Sequence, residues 1–344
     1  MLPNDKRRMS EGPEVRRTAD NLSSLLIGRL VDKVIFGNAE FQEVVQSLIG
    51  THIERIETHG KNIVIQFSNG IYLRNHMMMW GKWRIYHRKQ YDEGRAKPPP
   101  RRGKTHIGLR LKNDRKTTSQ PSLASTRAEK IDIQNNSNTH SPPSSSTSQE
   151  VNEYSIADDV RRDSRVRLAI ITTDYVAVQF NGPILKFSES NPFLTEQALM
   201  RLGPDPLKPN FSYDEARVRY DARLKMNLAD LLLDQTFVAG VGNKYKSELL
   251  FLCKLYPFIS GGQVSPEKRD LLIMKIPEIL KFGYENAGRT RPLLCDEPKN
   301  KWDYTHWVFR RAGKPCWVCN TPIKFDRTGS SRVSFWCPSC QKQN

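Results

Sequence analysis

Two Cys-x-x-Cys pairs near the C-terminus constrain this chain more than any other feature. Cys316-Trp317-Val318-Cys319 and Cys337-Pro338-Ser339-Cys340 are separated by seventeen residues, a spacing at which two knuckles present four thiolates to one zinc ion. A module this short cannot bury a core of its own, so metal binding supplies the free energy that folds it. Four thiolates leave no open coordination position, which makes the zinc structural and not catalytic. A redox reading of the two pairs would need a βαβ context, and neither has one. Residues 322–325 and 332–336, between the knuckles, read as a ribbon hairpin. Cys253 and Cys295 are left as simple thiols. Such cysteine usage suits a reducing compartment. The polar, basic residues 1–9 lack the apolar run of a secretory signal. No run approaches eighteen apolar residues, so no membrane span is expected.

The 344 residues carry 54 Lys and Arg against 37 Asp and Glu, a formal +17. That excess points to a polyanion, because neutralising phosphates releases counterions, although many basic proteins are merely soluble. Apolar residues make up 38%, below the usual globular share. The shortfall concentrates in residues 88–165, which include Pro98-Pro99-Pro100, Arg101-Arg102 and Ser141-Pro142-Pro143-Ser144-Ser145-Ser146. Such a stretch has too little apolar surface to offset its ordering entropy and reads as a disordered insert, with residues 106–111 as a short strand inside it. It is either a loop without a role or a basic tether on a nucleic acid.

Outside the insert the periodicity changes once. Residues 14–27 place Val15, Leu22, Leu25 and Leu26 on one helical face, and Gly28 is a natural stop. Strand patterns follow at 30–36, 52–58, 63–67, 71–74 and 81–86, and again at 166–172 and 175–180. Ser68-Asn69-Gly70 is a hairpin signal. Together they describe a two-sheet sandwich with a helix attached. From residue 194 the period is helical, over 195–202, 212–220, 228–235, 244–253 and 266–287, with Ser212 and Glu215 spaced as a capping box.

Two further features carry chemistry. Gly240-Val241-Gly242-Asn243-Lys244 joins two helices. Its glycines let backbone approach a ligand closely, and the following helix N-terminus offers N–H groups to a phosphate, with Lys244 and Lys246 adding charge. The alternative is a tight connection and nothing more. No strand precedes it, so it is not a dinucleotide fingerprint. Met77-Met78-Met79-Trp80 would ordinarily be core. Unbranched methionines and a flat indole are also side chains that fill gaps and stack on flat ligands.

Ser10-Glu11-Gly12-Pro13-Glu14-Val15-Arg16-Arg17, the segment ending in Gly242-Asn243 and the C-terminal cysteine module together resemble the formamidopyrimidine-DNA glycosylase/endonuclease VIII family, and the endonuclease VIII branch more closely. The resemblance implies an α+β multidomain fold: an N-terminal helix plus β-sandwich (residues 10–190, after an extension at 1–9), a helix–two-turn–helix domain (191–300) and a zinc-ribbon finger (301–344). It implies a bifunctional DNA glycosylase and abasic-site lyase that removes oxidised bases, pyrimidines by its branch. The expected partner is damaged double-stranded DNA, with single-stranded DNA open as a second substrate, bound by a monomer in a DNA-containing compartment of the cell.

Position by position, Glu11 matches the catalytic acid and Lys61 the hairpin lysine that holds a phosphate near the reaction centre. Asn243 matches the phosphate-binding asparagine and Arg332 the finger arginine. His76 falls where the family has a histidine near the wedge. Met78, Met79 and Trp80 match the void-filling residues, and Cys316, Cys319, Cys337 and Cys340 the zinc ligands. One position departs: the family nucleophile is an N-terminal proline, and here Ser10 stands there behind Met9. An imine to the sugar C1′ needs a free amine. If translation starts at Met9 and the methionine is removed, the Ser10 amine is competent. If the chain begins at Met1, the protein binds damaged DNA without lyase chemistry.

Overall fold

The computed structural model describes residues 10–36, 41–99, 159–295, 297, 302–326 and 332–343. Helix α1 (Gly12–Leu26) opens with Pro13 in its first turn, where the missing N–H costs nothing, and buries Val15, Ala19, Leu22 and Leu26 along one face. That face packs on a sandwich of two antiparallel four-stranded sheets. One has the order β1-β6-β7-β5 (Val31–Phe36, Val166–Thr172, Tyr175–Phe180, Lys82–His87), the other β2-β3-β4-β8 (Ile53–His59, Asn62–Phe67, Tyr72–His76, Ile184–Ser188). Leu22, Ile53, Ile63, Ile65, Phe67, Leu168 and Ile170 belong to one core between them. Strand β8 and helix α2 (Gln42–Ser47) are absent from the strand-and-helix pattern of the sequence. Strand β8 is an edge strand with no buried position, and α2 buries only Val45, so neither shows a period.

The insert is narrower than composition suggests. Residues 88–99 and 159–165 fold: α3 (Arg88–Asp92) follows β5 directly, and Tyr91, Ala96 and Val160 bury against Ala169, Ile171, Val176 and Val178. Three spaced apolar side chains suffice to anchor both flanks where the charge-rich composition hides them. The strand expected at 106–111 lies outside the described residues.

The second domain is helical. The pattern at 195–202 divides into α4 (Pro192–Thr195) and α5 (Gln197–Met200), and that at 228–235 shortens to α7 (Leu228–Leu231) before the chain turns. Helix α6 (Tyr213–Asp221) is capped by Ser212, whose hydroxyl accepts from the Glu215 N–H. Helices α8 (Asn243–Leu252) and α9 (Pro266–Glu285) pack together, and α1 packs on α9. Helix α8 is buried from Asn243 to Phe251 on every face. The finger's hairpin, β9 (Lys324–Asp326) and β10 (Ser334–Trp336), packs on α8. Among the described residues no helix is long and apolar enough to cross a membrane.

Candidate active site

Glu11 lies where the first and second domains meet, and glycines allow the approach. The Gly12 N–H donates to Gly240 O at 2.9 Å. A Cβ at Gly12 would stand 3.1 Å from the Gly240 Cα, and one at Gly242 would lie 2.4 Å from Glu11 Cδ. Gly240 also holds φ +91°, a conformation that glycine adopts freely. The glycines of the 240–242 turn therefore bring the helical domain onto Glu11. The N-terminus of α8 likewise serves Glu11: the Lys244 N–H donates to Oε1 at 2.9 Å and the Tyr245 N–H to Oε2 at 3.3 Å. Only 1% of Glu11 is exposed. Burial raises its pKa, and the nearby Lys244 and Lys61 oppose that shift in part.

Lys244 and Lys246 are not solvent cations awaiting a phosphate. Lys244 Nζ reaches Glu14 Oε1 at 2.5 Å and Gly288 O at 3.0 Å, and Lys246 Nζ reaches Asn243 Oδ1, Ser334 Oγ and Val333 O. Lys61 leaves the β2–β3 hairpin and donates to Val241 O at 2.7 Å. Burial pushes its pKa down to about 8, although Glu11 draws it up. The hairpin is fixed by the Gly60 N–H to Asp205 at 2.8 Å and by His59 to Gly203 O at 2.9 Å. Gln235 holds the glycine turn from inside, accepting from the Gly240 N–H and donating to Val241 O.

The Met-Met-Met-Trp run divides. Met77 is core, 3% exposed, while Met78, Met79 and Trp80 stand out at 45%, 39% and 44%. A tight turn produces the division. The Gly81 N–H donates to Met77 O at 2.7 Å, in a space where a Cβ would lie 2.5 Å from that oxygen, and Met78 takes φ +50°. His76 Nδ1 accepts from the Met78 N–H at 3.1 Å. Burial, with Lys61 and Arg74 nearby, lowers its pKa to about 4. The imidazole is thus neutral, and its Nε2 carries the hydrogen. Exposed Arg332 of the finger points Nη1 at Met79 Sδ, 3.8 Å away.

Beside this group lies a cavity of about 700 Å³ lined by Ser10, Glu14, Met77, Gly288, Arg289 and His306, among others. Ser10 is half-buried in it. In the finger the Sγ atoms of Cys316, Cys319, Cys337 and Cys340 all lie within 4.8 Å of one another. Val318 and Cys340 donate backbone N–H groups to the Cys316 and Cys337 sulfurs, as knuckles holding thiolates do. A tetrahedral zinc ion fits this set. Cys253 is buried and Cys295 exposed, and neither is in the cluster.

Sequence reasoning missed the groups that assemble the site. Asp205 and Gln235 pin the hairpin and the turn. Glu248, fully buried, accepts from the Trp307, Val308 and Phe309 N–H groups at 2.8–2.9 Å and so fixes the approach to the finger. The only signal was a run of polar residues, Asn243 to Glu248, inside an otherwise apolar helix.

Comparison with known proteins agrees with this layout. Residues 9–121 match the family described as formamidopyrimidine-DNA glycosylase N-terminal domain, and residues 202–292 match its H2TH domain. Proteins called Endonuclease 8 are similar over nearly the whole length. That of Escherichia coli O17:K52:H18 is 28% identical over 336 residues, 97% of this chain and all of that one, and that of Salmonella arizonae is 27% identical over 338 residues. The solved complex of Lactococcus lactis Fpg with an abasic-site DNA has a TM-score of 0.66 and 19% identity, covering 97% of this chain and all of that one. The complex of the same wild-type protein with an N7-benzyl-Fapy-dG DNA gives the same values. At that identity the likeness is one of fold.

Proposed function

The chain belongs to the formamidopyrimidine-DNA glycosylase/endonuclease VIII family, and we propose that it is a bifunctional DNA glycosylase and abasic-site lyase that removes oxidised bases, pyrimidines by preference, from damaged double-stranded DNA. The observation that carries this reading is the buried Glu11 carboxyl, its pKa raised, next to Ser10 on a cavity large enough for an extruded base. A solvated carboxylate would have no proton to give at neutral pH.

The base leaves the stack and enters the cavity, while Met78, Met79 and Trp80 fill the gap and stack on its neighbours. The unprotonated Ser10 amine attacks C1′. The bond to the base breaks, the base departs with a proton, and the sugar ring opens as Glu11 protonates O4′. The resulting iminium acidifies C2′. Loss of that proton expels the 3′ phosphate, a second elimination expels the 5′ phosphate, and water frees the amine. Lys61, Asn243, Arg332 and neutral His76, as an Nε2–H donor, hold the flanking phosphates. Zinc on the four cysteines would fix the hairpin that carries Arg332. Every group comes from one chain, which suits a monomer, and the substrate places it with the cell's DNA, whether in a nucleus or a nucleoid.

The amine exists only when the chain begins at Ser10. Its reference pKa of about 7.7–8.0 leaves it partly unprotonated at neutral pH. Borohydride trapping on abasic-site duplex tests this. Protein started at Met9, with methionine removal verified by mass spectrometry, is expected to give a covalent adduct, and protein started at Met1 is not. Failure of the processed protein to trap would remove Ser10 as nucleophile and favour a damage-binding protein without lyase chemistry. Glu11→Gln is expected to abolish base removal and to leave abasic-DNA binding within a few-fold.

A further inference from the structure

Lys246 lies on α8 with no exposed surface. Its ammonium donates to Asn243 Oδ1 at 2.8 Å, to Ser334 Oγ at 2.9 Å and to Val333 O at 3.3 Å. All three acceptors are neutral. They come from two modules: the first residue of α8 and the start of β10, directly after Arg332. A lysine ammonium has donors only. The Asn243 atom that faces it must therefore be the amide oxygen, and the NH₂ is turned away.

We propose that Lys246 is a positioning residue that fixes the amide orientation of Asn243, so that Asn243 presents its NH₂ to a backbone phosphate in register with the segment before β10 that carries Arg332. A phosphate only accepts hydrogen bonds. An Asn243 flipped by rotation about its side-chain bond would offer the phosphate its oxygen, exchanging a hydrogen bond for repulsion. Without Lys246 nothing else on α8 selects the orientation, because Lys244 is spent on Glu14 and Gly288 O. The lysine is a costly choice for packing. A methionine of similar length would fill the same space without desolvating a charge. Burial lowers its pKa to about 7. Asp230 from α7 and Glu11 from the segment before α1 draw it up, and Arg332 from the finger draws it down further. The inference rests on Asn243 as a phosphate ligand, and the experiment separates the two.

The probe is a duplex bearing a tetrahydrofuran abasic analogue, titrated against Lys246→Met, Lys246→Arg, Asn243→Ala and the Lys246→Met/Asn243→Ala double variant, with zinc content and thermal melts recorded for each. Lys246→Met and Asn243→Ala are each expected to weaken binding about tenfold, the double variant no more than Asn243→Ala alone, and Lys246→Arg, which keeps the donors, by less than about threefold. The Met variant is also expected to melt above the parent at pH 6. The folded-state pKa lies below the unfolded one, so the burial penalty is complete below about pH 7 and fades as pH rises towards the unfolded value. A more stable protein that binds less tightly is not what a purely structural lysine gives. Parental affinity in Lys246→Met, equal losses in the Met and Arg variants, or a further tenfold loss in the double variant would each overturn the proposal. Parental affinity in Asn243→Ala would remove the phosphate assignment itself, and this role with it.

Discussion

Burial raises the pKa of the Glu11 carboxyl, opposed in part by two nearby lysines, and so favours the protonated form that a proton donor needs. The same burial acts oppositely on Lys61, whose pKa is lowered to about 8. Lysine is charged below its pKa, so its hold on a phosphate is complete below about pH 8 and fades above it. The free enzyme's kcat/KM is therefore expected to fall above about pH 8, after a rise set by the Ser10 amine. Lys61→Arg stays charged and should carry that falling limb beyond pH 9. Single-turnover profiles of both proteins on one lesion duplex check this, and an unmoved limb would assign it elsewhere. At this scale the sequence was informative where type and spacing carry the chemistry, as with the four cysteines, whereas Glu11 and Lys61 stood out only through the family resemblance. The sequence misled where the partner decides. Lys244 and Lys246 look like phosphate cations in a linear string, yet each is consumed by a buried acceptor. Gly240 and Gly242 look like a ligand cradle, yet they are the clearance for another domain.

Among the elements, the β4–β5 turn and α8 carry the void-filling candidates and Asn243. The turn is built so that Gly81 closes it, His76 holds the Met78 N–H, and three large apolar side chains are left outside the core that takes Met77. Their exposure suits the void-filling role proposed for them. Replacing Met78, Met79 and Trp80 together by alanine is expected to slow excision from duplex DNA roughly five- to hundredfold, the worth of one lost stacking contact. Excision of the same lesion from a single strand, where no stack needs refilling, should change far less. Comparable losses on both substrates would make the run a general contact surface. Element reading from sequence worked where one face is buried, as in α1, β6 and β7. It failed at β8, an edge strand without a buried position, and overextended α7, because Leu232 and Leu233 continue its apolar run into a turn where Asp234 accepts from the Thr236 N–H and hydroxyl.

At the scale of the molecule, α8 joins the three modules. Its N-terminal N–H groups hold Glu11 beside the sandwich, Lys246 reaches the base of β10, and Glu248 gathers the N–H groups of residues 307–309. Phe251 stacks on Trp307 and joins Val308, Phe309, Ile323 and Phe335 in the apolar cluster that the finger shares with α8. From the other side, Gln341 donates to Leu255 O at 2.8 Å. The order of modules could be read from the chain, but their docking could not, because it depends on buried polar groups that no periodicity marks. The formal +17 is likewise a poor guide to DNA contacts, since several cations near the cleft are committed internally. This arrangement makes zinc a condition for binding and not for the whole fold. The finger has a small apolar cluster and four cysteines whose metal binding would supply its folding free energy, whereas the sandwich and the helical domain each have a core of their own. Stripping zinc with a chelator is therefore expected to unfold the finger, release Arg332 and the Lys246 contacts at β10, and weaken abasic-duplex binding by at least about a hundredfold, the loss of two charge-assisted contacts. Most of the far-UV circular dichroism should remain. Readdition of zinc under reducing conditions should restore binding. Undiminished binding by protein shown to be metal-free would mean that the finger lies outside the interface, and α8 would then be the end of the DNA-binding surface instead of its middle.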